Sequence, residues 1–333
     1  MFVSGVGMSL PRAMSADEAV ELGLTDEWTV KRTRIRSVCV SEESGPELAV
    51  RAARRALRAA GAAPADIDLV LHACTYFQGH DLWAPASYVQ QNSVANSCPS
   101  LVVDQLSNGG MAAIDLAVAY LRADPRRSGA LLTTGDRFCL PGMDRWATDP
   151  GTVLGDGGTA LILSRADGFA RLLSLATVSD PGLELMGRGE APFGAAPLSA
   201  RTPVSVADYR ALLARKIGMS GLTDRLLAGQ QQACKQAFDE AGVALDDIDW
   251  FVVPNLGYPK MEFQFFSLLG IDLNRTTWPW GSGIGHLGAG DQFAGLAHLA
   301  ETGALAPGQR CALVSAGGGF AWTVAVLEIV RVP

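Results

Sequence analysis

Part of this chain occurs twice, and that constrains its fold more than any other feature. Residues 56–71, ALRAAGAAPADIDLVL, lie over residues 237–252, AFDEAGVALDDIDWFV, without a gap. Seven of the sixteen positions are identical at an offset of 181. Each copy reads as helix, glycine stop, acidic turn and buried strand. Further along, ALLTTG at 130–135 matches ALVSAG at 312–317 at an offset of 182, in the same order. The repeat predicts two similar α/β halves, residues 1–170 and 171–333. Equivalent loops of such halves face each other across a pseudo-two-fold axis, where a shared site forms. The offset sets Ser107 opposite Ala289, inside the turn GHLGAGD at 285–291, and brings Asn255 to the position that Cys74 holds in the first half. Residues 179–223, rich in Gly, Pro and Ala with weak periodicity, read as a long excursion that covers a pocket.

Composition narrows the class. Hydrophobic residues make up 48% of the chain and charged residues 18%, which suits a large core and argues against wholesale disorder. The net charge is −7, and the arginine pairs at 54–55 and 126–127 stand alone, so neither nucleic acid nor an anionic membrane surface is an expected partner. The start of the chain has no basic leader before its short apolar run, and no secretory signal is expected. The longest apolar run, 311–327, contains three glycines and is shorter than the ~20 residues of a spanning helix. Six scattered cysteines without a CxxC pair read as free thiols in a reducing, cytoplasmic setting, with no metal site.

The stretch DQLSNGGMAA places Ser107 between a β-branched run at 101–103 and a helical segment at 112–121. A strand-to-helix turn presents a side chain beside free backbone N–H groups, and glycines after it admit a close approach. Two readings stand: a helix-capping serine beside a tight packing contact, or a nucleophile. A nucleophilic serine needs a base, and the base an orienting partner. Of four histidines, His72 lies in an apolar run and His298 in a helical segment, which suits packing. His80 is a loop residue and a minor candidate. His286 is best placed, because the repeat sets it opposite Ser107. Asp291, five residues on, either caps the helix it begins or accepts the His286 ring N–H. Residues 317–319, a glycine run at a strand end, serve either close packing or an oxyanion hole in which the Gly318 N–H joins that of Ser107.

These residues resemble a known family. EWTVKRTRIR at 27–36, AGAAPADIDLVL, the Ser107 turn, LGDGGTALIL at 154–163 and AGGGFAW at 316–322 are similar to the ketoacyl-ACP synthase III type of the thiolase superfamily, over nearly the whole chain. The resemblance implies a thiolase fold, two α/β halves in a layered α-β-α-β-α arrangement, and a homodimer whose sheets join. It implies an acyl donor on a carrier protein or coenzyme A, with no bound cofactor. Trp28 and Arg32 match positions at the mouth of the tunnel for the donor's arm, and Phe320 is assigned to substrate binding. Family members carry a nucleophilic cysteine, a histidine and an asparagine. Here Ser107 stands for the cysteine, Asn255 for the histidine and His286 for the asparagine. The three departures are coordinated: a thiolate at a helix N-terminus attacks without a strong base, whereas a hydroxyl does not.

The pattern is similar to the branch of the family that transfers acyl groups in antibiotic and polyketide pathways. The expected activity is acyl transfer through Ser107, with His286 as base, Asp291 as its partner and Asn255 as a donor to a substrate oxygen. The acceptor is a hydroxyl, an amine or a carrier. The alternatives are a starter-unit ketosynthase forming a carbon–carbon bond, a hydrolase, and a non-catalytic homologue that binds the carrier protein.

Overall fold

The duplicated stretch folds the same way twice, and its identical residues are those that make the shared contacts. In the first copy a helix, Gly45–Ala60, ends at Gly61 with φ +62°. In the second a helix, Met219–Ala241, ends at Gly242 with φ +67°. Both glycines adopt the left-handed conformation that closes a helix and that side chains disfavour. A short 3-10 turn follows each, Pro64–Asp66 and Leu245–Asp247. Asp66 accepts the Ala63 N–H at 2.7 Å, and Asp247 accepts the Ala244 N–H at 2.8 Å. Asp68 accepts from Ser128 N at 2.5 Å, and Asp249 accepts from Arg310 N at 2.8 Å, each tying its strand to the next. Ile67 and Ile248 between them are buried.

The computed structural model describes residues 1–198 and 202–333. The first half supplies β1 (Phe2–Ser9), β2 (Ala13–Ser15), β3 (Ser37–Cys39), β4 (Leu69–Ala73), β5 (Ser100–Val103), β6 (Gly129–Asp136) and β7 (Gly157–Ser164). The second supplies β8 (Ala170–Ser179), β9 (Trp250–Val252), β10 (Arg310–Gly317) and β11 (Ala321–Ile329). Strands β2 and β3 form a small separate sheet; the rest run β5-β4-β6-β7-β1-β8-β11-β10-β9. Read outward from the β1/β8 junction, the two halves share one order, and that junction holds only two residue pairs, Phe2 with Arg171 and Val3 with Ala170. The counterpart of edge strand β5 is reduced to one bridge, Phe251 with Thr276.

Two helices, Gly109–Ala123 and Asp291–Glu301, lie in the central layer. Their Met111, Ile114, Phe293 and Leu296 share one buried cluster with Leu71, Leu132 and Leu161 of the first half and with Leu313 and Leu327 of the second. The helix Gly45–Ala60 covers the outer face of the first half against β1, β6 and β7, and Met219–Ala241 covers that of the second against β8 and β11. This is the expected thiolase layering.

The excursion at 179–223 is partly helical. It holds Leu185–Arg188 and Ala207–Ile217, and its last residues already belong to the long helix Met219–Ala241. Residues 199–201, within it, lie outside the described residues. It is fastened across the first half: the Arg210 guanidinium donates to Asp149 at 2.8 Å, Lys260 reaches the same carboxylate at 2.8 Å, and Val206 N donates to Thr148 O at 3.0 Å. No helix among the described residues is long and apolar enough to cross a membrane, and all six cysteines are unpaired.

Candidate active site

Ser107 sits in a 3-10 turn, Leu106–Asn108, between β5 and the central helix Gly109–Ala123. The turn forms because Leu106 adopts φ +46°, a left-handed conformation rare for leucine. Strain of this kind concentrates at functional sites, and nothing in the sequence pattern announced it. The β10–β11 turn abuts the serine turn. A Cβ on Gly317 would stand 2.3 Å from Asn108 N, and one on Gly318 would stand 2.2 Å from Leu106 Cδ1. Ser315 Oγ donates to Ser107 O at 3.3 Å. The glycine run is therefore a close-packing device, and it brings the backbone at Gly318 up to the serine turn.

His286 comes from the opposite half. Its backbone is held on both sides by residues 153–155, where the LGDGG segment begins: His286 N donates to Val153 O at 2.9 Å, and Gly155 N donates to His286 O at 2.9 Å. Asp156 in the same segment is fully buried. It accepts from Ser41 N and Phe138 N, both at 2.8 Å, and from Arg145 at 3.0 Å. The sequence marks this segment only by its family resemblance; in the structure it anchors the backbone of His286 through a bridge with Leu154.

The imidazole lies between Ser107 and Asp291. Its Nε2 is 2.7 Å from Ser107 Oγ, and its Nδ1 is 2.5 Å from Asp291 Oδ2. Ring and carboxylate are both nearly inaccessible, with 5% and 1% of the side chain exposed. A carboxylate only accepts, so it keeps the ring proton on Nδ1. The Nε2 lone pair then faces the serine hydroxyl, which donates to it. Sequence separations of 179 and 5 residues thus converge on one relay.

One open alternative is decided and one expectation is corrected. Asp291 is the first residue of its helix, after Gly290, and does not cap it; its side chain turns back to accept Leu287 N at 2.8 Å. Asn255 makes no arrangement for a substrate oxygen. Its backbone N donates to Asp291 Oδ2 at 2.7 Å, while Nδ2 donates to Gly285 O and to Asp291 Oδ1, both at 3.1 Å. An amide NH2 has two protons, and both are engaged.

The remaining predicted residues spread around this core. Trp28 and Arg32 lie one turn apart on a surface helix, Glu27–Thr33, with the guanidinium 4.8 Å from the indole centre; Trp28 is 64% exposed. That helix flanks the loop leading from Asn255, since a Cβ on Gly257 would stand 3.1 Å from Thr33 Cβ. Phe320 is half-buried against Trp322, 5.0 Å between ring centres, and its backbone pairs with Asp180 at the start of the excursion.

The other histidines are structural or exposed. His72 is fully buried between Thr133 Oγ1 at 3.0 Å and Gln78 Oε1 at 3.1 Å, and burial pushes its pKa down to about 4. His298 stacks on Trp280 at 4.2 Å, and burial lowers its pKa too. His80 stands exposed against Trp83. Burial, with Asp136 and Asp104 nearby, pushes the Cys74 thiol up to about 12. It is no thiolate at neutral pH.

The chain is similar to known proteins along its length. The C-terminal region of 3-oxoacyl-[acyl-carrier-protein (ACP)] synthase III matches residues 238–329. A beta-ketoacyl-[acyl-carrier-protein] synthase III of Neisseria meningitidis is 28% identical over 337 residues, with 98% of each chain covered. Among solved structures, ChlB3, described as an acyltransferase, is 31% identical with a TM-score of 0.94, covering 99% of this chain and 98% of its own. The 3-oxoacyl-(acyl carrier protein) synthase III of Pseudomonas aeruginosa PAO1 is 21% identical with a TM-score of 0.78, covering 100% and 99%.

Proposed function

Since the chain belongs to the 3-oxoacyl-ACP synthase III family of thiolase-fold proteins, we propose that it is an acyltransferase that holds its acyl group on Ser107. The observation that carries this reading is the relay of 2.7 Å and 2.5 Å from Ser107 through His286 to Asp291. Ser107 Oγ attacks the carbonyl of a carrier-protein or coenzyme A thioester while His286 Nε2 takes the hydroxyl proton. Asp291 stabilises the resulting imidazolium. The N–H groups of Ser107 and Gly318 hold the tetrahedral oxyanion. Collapse breaks the C–S bond, and the leaving thiolate takes the proton back from His286. A hydroxyl or amine acceptor then attacks the acyl-serine, giving its proton to His286, which returns it to Ser107 Oγ. Trp28 and Arg32 receive the donor's arm, and Phe320 flanks the acyl group.

Carbon–carbon condensation is the weaker reading. It needs the imidazole free to stabilise an enolate, and here the ring is engaged as the base for Ser107. An oxygen ester is also less activated than a thioester toward a carbon nucleophile. A place in antibiotic or polyketide pathways belongs to the same proposal, as does a dimer: the edge of β5, with Leu101 and Val102 exposed, is the strand on which a second copy would pair.

The test is incubation of the acyl-loaded enzyme with malonyl thioester in one arm and with hydroxyl and amine acceptors in the other. An O- or N-acyl product without carbon dioxide release is expected. Decarboxylation with a β-keto product would overturn the reading. Light scattering of the same preparation is expected to report a dimer; an active monomer would contradict the pairing.

A further inference from the structure

We infer that Asn255 acts on the reaction only through Asp291, as a positioning residue and not as a donor to substrate. The inference rests on the acyl-serine reading and deepens it. Asn255 is buried, and both Nδ2 protons are engaged, one by Gly285 O and one by Asp291 Oδ1. Its Oδ1 fills the space that a side chain at Gly281 would take, since a Cβ there would stand 1.9 Å away. No proton remains for a bound carbonyl.

The carboxylate it holds is saturated. Asp291 Oδ2 accepts from Asn255 N at 2.7 Å and from the His286 ring; Oδ1 accepts from Leu287 N at 2.8 Å and from Asn255 Nδ2 at 3.1 Å. Two donors on each oxygen fix its rotation and keep Oδ2 on Nδ1–H. The same amide also binds Gly285 O, so it joins the residue before the base to the carboxylate after it and closes the turn around His286. An imidazole at 255, as the family resemblance would have it, offers a single N–H when neutral and cannot bridge both acceptors. The exchange of side chains between positions 255 and 286 is therefore one change: a base that needs an orienting carboxylate also needs an amide to hold that carboxylate.

The test is a double-mutant cycle between positions 255 and 291. It reads the burst of nitrophenolate as Ser107 is acylated by p-nitrophenyl acetate, a probe without a pantetheine arm. Asn255→Ala is expected to slow the burst on the order of tenfold, within the coupling that contacting residues show, and to leave KM for the acyl thioester unchanged. In the Asp291→Asn background the same change is expected to add less than about twofold. Asn255→Asp fills the same space and guards against a variant that does not fold. It sets carboxylate against carboxylate, and its penalty is expected to vanish in the Asp291→Asn background, where an amide faces it. Multiplicative effects, or a raised KM with a normal burst, would overturn the inference. A wild-type enzyme with no burst and no adduct would instead overturn the acyl-serine reading itself.

Discussion

Leu106–Asn108 in the first half and Gly288–Gly290 in the second are the same 3-10 turn, 182 residues apart, and each leads into a central helix. The left-handed residue that opens each turn is Leu106 at φ +46° in one and Gly288 at φ +62° in the other. Their next residues differ in setting: Ser107 is half-buried, whereas Ala289 is 1% exposed. The second turn is buried by the first helix. A Cβ on Gly110 would stand 2.5 Å from Ala289 O, and one on Gly109 would stand 3.2 Å from Ala289 Cβ. At the flanking positions the first half carries exposed Asp104 and buried Gly109, and the second carries buried His286 and Asp291. Duplication thus supplied one backbone twice, and a few side chains divided the work. In the proposed reaction the first half presents the nucleophile, and the second is the support that aims the base at it.

The largest expected effect comes from moving the serine across the repeat. Ser107→Ala combined with Ala289→Ser should form no acyl adduct, because the transplanted hydroxyl would be buried with no base beside it; an adduct by mass spectrometry would break the comparison. His286→Ala should likewise slow acylation by ~10²- to 10⁴-fold or more, the range for a lost general base in a triad.

Asp291→Asn comes next. The wrong imidazole tautomer should cost up to ~10⁴-fold in rate. Its NH2 would also face the N–H of Leu287 or Asn255, an unsatisfied contact worth about 1–3 kcal/mol. Kinetics and thermal melting together check this. Normal rates would return Asp291 to a purely structural role.

The smallest effect separates the two buried histidines. His72 has its pKa lowered to about 4 by burial, from the ordinary 6.5. Between those values the unfolded chain binds a proton that the folded chain does not, so stability falls as pH falls across that window. The loss is at most roughly 3 kcal/mol. Melting curves from pH 7 to pH 4.5 should show a slope that His72→Gln flattens. An unchanged slope in the variant would assign the acid sensitivity elsewhere.

Much of this was legible in the sequence because backbone equivalence follows from register. An offset counted on ALRAAGAAPADIDLVL was enough to bring His286 to Ser107, since both sit at fixed distances from strands that the repeat aligns. The loss of β5's counterpart lay beyond that reasoning, because a single bridge at Thr276 leaves no strand pattern to read. Side-chain direction was equally hidden. Asp291 begins a helix, as a cap would, yet the donors that claim it come from Leu287 and Asn255, set beside it by tertiary contacts. The family histidine's position, which Asn255 occupies, points it at substrate, and only the placement of Gly281 and Gly285 shows it turned inward. Leu106 is the clearest case: local preference opposes its φ, and the packing of Gly318 against it holds it there.

In the proposed reaction the acyl group passes through Ser107. The most direct test of this is peptide mapping by mass spectrometry after brief exposure of the enzyme to an acyl thioester panel. The account predicts one added acyl group, on the peptide carrying Ser107, lost in Ser107→Ala and removed by acceptor. An adduct on Cys74 or Cys98 that survives Ser107→Ala would contradict it.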